Sequence, residues 1–176
     1  MKKIIPLLFI FVIANGETHA NADNAPQPFE VIFPEVGYKT VEAALWEFEK
    51  HFQQELKLPL RVPPISFTHH FGRFSDLDGE INDSFEMKMI SDQYPENHFK
   101  IDVRPVKYNI PFDRYVSKVY QLTDGKKATY IEDPRFGFNM LVFEKEGWQY
   151  VFSIDNEAAH KVTPEILVQI ANSIDY

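Results

Sequence analysis

The chain has 176 residues, no cysteine and a formal net charge of −8. The lack of cysteine excludes disulfides, thiol nucleophiles, cysteine metal ligands and thioether lipid anchors. The acidic balance argues against nucleic acid and anionic membrane surfaces as partners, since no basic cluster longer than Lys126-Lys127 occurs.

The first 22 residues have the order of a secretory signal peptide. Met1-Lys2-Lys3 is a basic start, residues 4–13 are almost wholly apolar, and Ala20-Asn21-Ala22 matches a small-residue cleavage site. The apolar run has about ten residues, whereas a bilayer span needs about 20, so we expect no stable membrane anchor. We predict cleavage after Ala22, with Ala20 as the alternative, and an exported protein located extracellularly or in the extracytoplasmic cell envelope.

Residues 23–38 are rich in proline and polar residues, and we interpret them as an extended entry segment. A single α+β domain is expected over residues 39–176. Its first helix is predicted from the N-cap Thr40, because apolar residues recur at three- and four-residue steps from Val41 to Leu56. We expect Pro59 to end this helix.

Beyond the proline-rich connector, the apolar period changes to two, as in Phe99, Ile101 and Val103. Asp124-Gly125 and Glu146-Gly147 indicate tight hairpins between such runs. A last helix is predicted to begin at Thr163-Pro164. The pattern predicts a curved antiparallel sheet of about six or seven strands, packed against an N-terminal and a C-terminal helix.

The C-terminal third carries a resemblance. Residues 139–154 form a strand, a turn with Gly147 and an aromatic-rich strand, and residues 164–174 form a helix ending in Ala171-Asn172-Ser173. This order resembles an uncharacterised exported domain family of Gram-positive bacteria, found C-terminal to a membrane anchor in anti-sigma-factor-like and sporulation-associated proteins.

The resemblance implies fold-level similarity to lipoprotein-carrier and sigma-regulator sheets, which wrap a helix or a hydrophobic ligand. It brings no catalytic residues. This chain departs from the family pattern because no membrane anchor is predicted.

The densest group of oxygen ligands lies between residues 76 and 83. Calcium sites take carboxylates from such loops, so the candidate metal ligands are Asp76, Asp78, Glu80 and Asp83. The EF-hand spacing fails here, and a solvated acidic turn is the alternative interpretation. We expect no cofactor, and calcium at this loop is the alternative.

Catalytic motifs are lacking in the sequence. No G-x-S-x-G or H-E-x-x-H pattern occurs. His69 and His70 are adjacent on a predicted strand, so their side chains point to opposite faces and cannot easily share one ion. We interpret both as surface or edge-packed residues.

Aromatic residues are abundant, with 16 Phe, 8 Tyr and 2 Trp. Many occupy core positions of the predicted strands, but seven lie near turns, prolines or glycines, where loops could line a hydrophobic groove. These seven candidate ligand-binding residues are Phe67, Phe71, Phe74, Phe112, Tyr115, Phe136 and Phe138. The alternative is that they plug the open end of the sheet.

Three functions remain open from the sequence. The leading hypothesis is an exported, non-catalytic binding or interaction module for a peptide, protein or apolar ligand at the cell envelope. The second is an extracytoplasmic sensor or inhibitor acting on a partner protein. The third is a hydrolase of unrecognised type, for which buried acidic or histidine pairs with shifted pKa values would have to meet in one cleft.

Overall fold

A computed structural model describes residues 27–77 and 81–175. The predicted signal peptide, residues 1–22, lies outside this part of the chain. The helices are α1 (Phe29–Glu35), α2 (Val41–Phe52) and α3 (Pro164–Ala171). The strands are β1 (His69–Ser75), β2 (Ser84–Ile90), β3 (His98–Pro105), β4 (Lys118–Gln121), β5 (Lys127–Ile131), β6 (Phe138–Lys145) and β7 (Trp148–Asp155). No helix in the described ranges is long and apolar enough to cross a membrane.

The seven strands form one open sheet in the order β1-β2-β3-β7-β6-β5-β4. Every neighbouring pair is antiparallel. This confirms the predicted α+β class and the antiparallel sheet of about six or seven strands.

Both predicted hairpin turns are present. Glu146 and Gly147 have φ values of 47° and 84°, and this pair of positive angles matches the twist that a two-residue hairpin between β6 and β7 requires. Gly125, between β4 and β5, also has a positive φ of 83°. Both turns therefore occur where glycine tolerates a left-handed backbone.

The main core covers one face of the sheet, which we call the helix-covered face because α2 and α3 pack on it. The short helix α1 packs on the other face, against Phe71 of β1. In β7 this face carries Trp148, Tyr150, Phe152 and Ile154, each at most 1% exposed. The buried side chains of α2 and of α3 join the same apolar cluster. Phe48 of α2, for example, lies 4.9 Å from the Trp148 ring.

The expectation of an extended segment over 23–38 is wrong for residues 29–35, which form α1. Long-range aromatic contacts stabilise this short helix. The Phe33 ring stacks on Phe71 of β1 at 4.6 Å, and Phe29 packs edge-on against His69 at 5.3 Å. Pro34 lies inside the helix, so the proline signal alone was misleading.

The end of α2 also differs from the prediction. Its start is confirmed, since the Thr40 hydroxyl accepts a hydrogen bond from the Ala43 N–H. The helix ends at Phe52 rather than near Pro59, because Gln53 adopts the left-handed conformation with φ 52°. Leu56 is nevertheless buried in the core, as its apolar character suggested.

Candidate functional site

The sheet face opposite the helix-covered face carries a groove of 480 Å³, which we call the aromatic groove. Strands β3, β7 and β6 supply its floor. The connection between β3 and β4 supplies one wall. The loop before β6, together with Phe138 at the start of that strand, supplies the other. The floor residues are Lys100, Asp102, Arg104, Val151, Ser153 and Met140, and the wall residues are Ile110, Phe112, Arg135, Phe136, Gly137 and Phe138.

The strand register gives the floor a polar and an apolar side. Lys100 of β3 is paired with Ser153 of β7, which is paired with Met140 of β6. Asp102 is likewise paired with Val151. Charge is therefore concentrated at β3, and the floor becomes apolar towards β6.

One wall is fixed to the sheet through Gln149. Its side-chain oxygen accepts from the Ile110 N–H at 2.9 Å, and its amide nitrogen donates to the Ile110 carbonyl at 2.9 Å. The Val106 N–H donates to the Gly147 carbonyl at 2.9 Å. Ile110 is consequently held above the floor by hydrogen bonds whose partners lie at the sheet. Phe112, two residues further on, packs against the buried cluster that includes Val142 and Val151.

The other wall is the loop that leads into β6. The Asn156 side chain donates to the Phe136 carbonyl at 2.8 Å, and the Phe136 N–H donates to the Asp133 carbonyl at 2.9 Å. Arg135 donates through Nε to Asp133 at 2.8 Å and makes a second contact through its Nη2. These hydrogen bonds with Arg135 lower the pKa of Asp133 to about 2.

Asp102 on the groove floor is paired with Glu86 of β2, and the pKa values of these two carboxyl groups are shifted in opposite directions. Burial raises the pKa of Glu86, but the hydrogen bond from Tyr38 and the nearby cations Lys100, Lys88 and Arg73 outweigh it, so the pKa of Glu86 is lowered overall. Burial raises the pKa of Asp102, and its ion pair with Lys100 at 3.0 Å only partly opposes that shift.

The structure divides the seven predicted aromatic residues among four locations. Phe67 and Phe74 pack against the main core, and Phe71 lies under Phe33 of α1. Tyr115 contacts the Phe136 ring at 5.3 Å. The remaining three line the aromatic groove: Phe112, Phe136 and Phe138. Phe112 and Phe136 also pack against a small buried cluster of Ile131, Val142 and Val151, so part of their surface is shared with the protein interior.

Two of the four predicted acidic metal ligands come together with a histidine from α2. Ligand atoms of His51, Asp76 and Asp83 lie within 4.8 Å of one another. Asp83 is fully buried, 3.0 Å from His51 Nε2, and accepts from the Leu77 N–H at 2.9 Å. One imidazole with two carboxylates suits zinc or manganese better than calcium. Asp78 and Glu80 lie outside the described residues.

The histidines of β1 occupy different surroundings, as strand geometry predicts. His69 lies 2.9 Å from Glu30 of α1, and His70 is exposed near Phe67. On β3, burial and the charge of Lys88 lower the pKa of His98, whose ring packs edge-on against Phe138 at 5.0 Å.

Sequence analysis did not single out the charged floor of the groove or His51. Lys100, Asp102 and Arg104 alternate with buried residues, which is the ordinary pattern of a solvated strand face. His51 lies within the predicted helix and belongs to no recognised sequence motif. Comparison of the chain with protein-family models, curated proteins and solved structures returned no match.

Proposed function

We propose that this protein is an exported, non-catalytic binding module of the cell envelope that holds an apolar or amphipathic ligand in the aromatic groove. The observation that carries the proposal is the groove itself, where Phe112, Phe136 and Phe138 stand beside a floor that changes from charged to apolar. Its volume of 480 Å³ falls in the range of about 300–1,000 Å³ typical of small-molecule sites.

The export and the envelope location rest on the signal-peptide pattern of residues 1–22. The resemblance of the C-terminal third to an exported Gram-positive domain family agrees with both. It also agrees with a sheet that holds a hydrophobic ligand.

Binding of the neutral fluorescent probe N-phenyl-1-naphthylamine tests the proposal. We expect saturable binding to the purified protein, and a loss of affinity of about tenfold in Phe136→Ala, because half-buried phenyl groups contribute on the order of 1.5 kcal/mol. Trp46→Ala is the control, since Trp46 is 60% exposed on α2 and is not among the groove residues.

Circular dichroism and the melting temperature establish that both variants fold. A wild-type protein that binds no probe, or an equal loss in Trp46→Ala, would remove the groove from consideration as the binding site.

A partner-protein function is the second candidate, and the outer edge of β4 favours it. β4 is the last strand of the sheet, so this edge pairs with no described strand. Val119, at its centre, is 51% exposed. An extended peptide can add to such an edge through backbone hydrogen bonds. Stoichiometric capture of a partner that protects β4 amides from hydrogen exchange would support this alternative.

The hydrolase hypothesis has one relevant observation, the neighbouring carboxylates Glu86 and Asp102 with opposite pKa shifts. Glu86, however, already accepts from Tyr38 and from Arg73, the latter at 3.0 Å, and it is not a groove residue. This pairing favours a structural network over an acid and base pair.

A further inference from the structure

On the sheet face that carries the aromatic groove, the charge of strands β1, β2 and β3 differs in sign from the charge of the chain. Across β1, β2 and β3 this face carries four cations and two carboxylates, whereas the whole chain has a net charge of −8. The cations are Arg73, Lys88, Lys100 and Arg104, and the carboxylates are Glu86 and Asp102. The local excess of positive charge lies beside the polar side of the aromatic groove.

The two carboxylates do not use all of these cations. Glu86 pairs with Arg73 at 3.0 Å and with Lys88 at 3.4 Å, and Asp102 pairs with Lys100 at 3.0 Å. Arg104 lines the groove, and its buried Nε–H has no hydrogen-bond partner within the described part of the chain. A buried donor without a partner costs about 1–3 kcal/mol, so an acceptor from a ligand would be favourable here.

The opposite side of the groove suits a hydrocarbon. Met140 and Val151 form the floor there, Phe136 and Phe138 stand at its wall, and a buried apolar cluster lies behind them. A ligand that spans the groove from Arg104 to these residues must have one anionic end and one apolar end.

From this arrangement we propose that the aromatic groove binds a single-chain amphiphile with an oxyanion head group, the head at Arg104 and the tail along Met140 and Phe138. This inference rests on the proposed function and names its ligand class. The volume of 480 Å³ lies in the lower half of the usual range for small-molecule sites, which favours one chain over a bilayer lipid. The planar guanidinium of Arg104 matches carboxylate and phosphate oxygens alike.

Asp102 opposes such a ligand, because its carboxylate is part of the same floor. Lys100 neutralises it at 3.0 Å, and Arg104 then provides the remaining positive charge. Replacing Asp102 by the isosteric asparagine removes the repulsion without changing the shape of the floor. The substitution Asp102→Asn should therefore strengthen the binding of anions relative to that of neutral ligands.

Three ligands with the same decyl tail test the inference: undecanoate, decyl phosphate and decanol. Their dissociation constants are measured with the purified protein by displacement of N-phenyl-1-naphthylamine, below the critical micelle concentrations. We expect at least one anion to bind about tenfold more tightly than decanol, as one charged hydrogen bond predicts. The ratio of the dissociation constants of the two anions shows whether the groove prefers a carboxylate or a phosphate head group.

Arg104→Gln should abolish the preference for anions, so that the ratio of anion affinity to decanol affinity falls to about one. Arg61→Gln is the matched control, since Arg61 is exposed and is not a groove residue. Asp102→Asn should increase anion affinity severalfold.

Equal binding of decanol and both anions would overturn the inference while leaving the proposed function in place. So would a preference for anions that survives Arg104→Gln. If the naphthylamine probe binds and none of the decyl compounds displaces it, the inference also falls. If the probe itself does not bind, the proposed function fails as well.

Discussion

At the scale of single residues, burial and neighbouring charges shift the pKa values of two adjacent carboxyl groups in opposite directions. Glu86 and Asp102 are paired across β2 and β3. Tyr38 donates to Glu86, and three cations surround it, so its ionised form is favoured in the folded protein. Burial disfavours the ionised form of Asp102, and the nearby charge of Glu86 acts in the same direction. The ion pair with Lys100 opposes these two effects only in part.

These opposite shifts predict opposite pH dependences of stability. The lowered pKa of Glu86 means that its ionised form stabilises the fold above about pH 4.5, and that this contribution is lost as the pH falls through the folded-state pKa. We expect Glu86→Gln to reduce the free energy of unfolding by about 2 kcal/mol at pH 7. In denaturant titrations, the difference in free energy of unfolding between wild type and Glu86→Gln should become smaller as the pH is lowered towards 3.

Asp102→Asn provides the comparison. The raised pKa of Asp102 means that ionisation costs stability above the folded-state pKa and costs nothing below the ordinary value of 3.8. The asparagine variant should therefore be at least as stable as wild type at pH 7 and equal to it at pH 3. If the difference in free energy of unfolding between wild type and Glu86→Gln does not change with pH, the charge of Glu86 does not stabilise the fold.

At the scale of elements, the packing of α2 on β1 depends on Gly72. A Cβ at this position would lie 2.8 Å from Val41 Cα and 2.9 Å from Ala44 Cβ, closer than real contacts allow. We expect Gly72→Ala to displace α2 from β1 and to lower stability by about 1–3 kcal/mol. Thermal unfolding measures the effect.

Gly137→Ala is the matched control, because a Cβ there meets no heavy atom within 4 Å and the backbone is not left-handed. Its melting temperature should stay within the scatter of the wild type. Equal melting temperatures for Gly72→Ala and wild type would show that α2 moves without cost, contrary to the close contact seen in the structure.

The elements also show where sequence reasoning works and where it stops. The alternation of Phe99, Ile101 and Val103, together with the hairpin at Gly147, identified strands and turns because these signals are local. The helix α1 was missed because its stabilising contact, between Phe33 and Phe71, joins residues far apart in the chain.

The residues of the candidate groove could be predicted only in part from the sequence, for the same reason. The sequence indicates Phe112, Phe136 and Phe138 because they lie beside turns, where the alternation of a strand does not account for an aromatic side chain. It does not indicate Lys100 and Arg104, since a charged residue at every second position is what a solvated strand face requires. The pairing of β3 with β7, which no local pattern predicts, converts that face into a groove floor.

At the scale of the whole molecule, the two faces of the sheet have separate roles. The main core lies on the helix-covered face and contains the largest buried side chains, among them Trp148, Tyr150 and Phe48. The aromatic groove lies on the other face, over a much smaller apolar cluster. Variants on the groove floor should therefore retain the fold, and their effects on binding can be interpreted as local.

The function proposed for the groove requires that the protein bind its ligand outside the cytoplasm. The N-terminal sequence pattern predicts the first residue of the exported, cleaved chain. If residues 1–22 are a signal peptide, the intact mass of the protein recovered from the extracytoplasmic fraction should correspond to a chain beginning at Asp23. A chain beginning at Asn21 would indicate cleavage after Ala20. The variant Leu8→Asp, which interrupts the apolar run, should stay in the cytoplasm at full length. Full-length wild-type protein in the cytoplasm would place the groove among cytoplasmic ligands and contradict the envelope location.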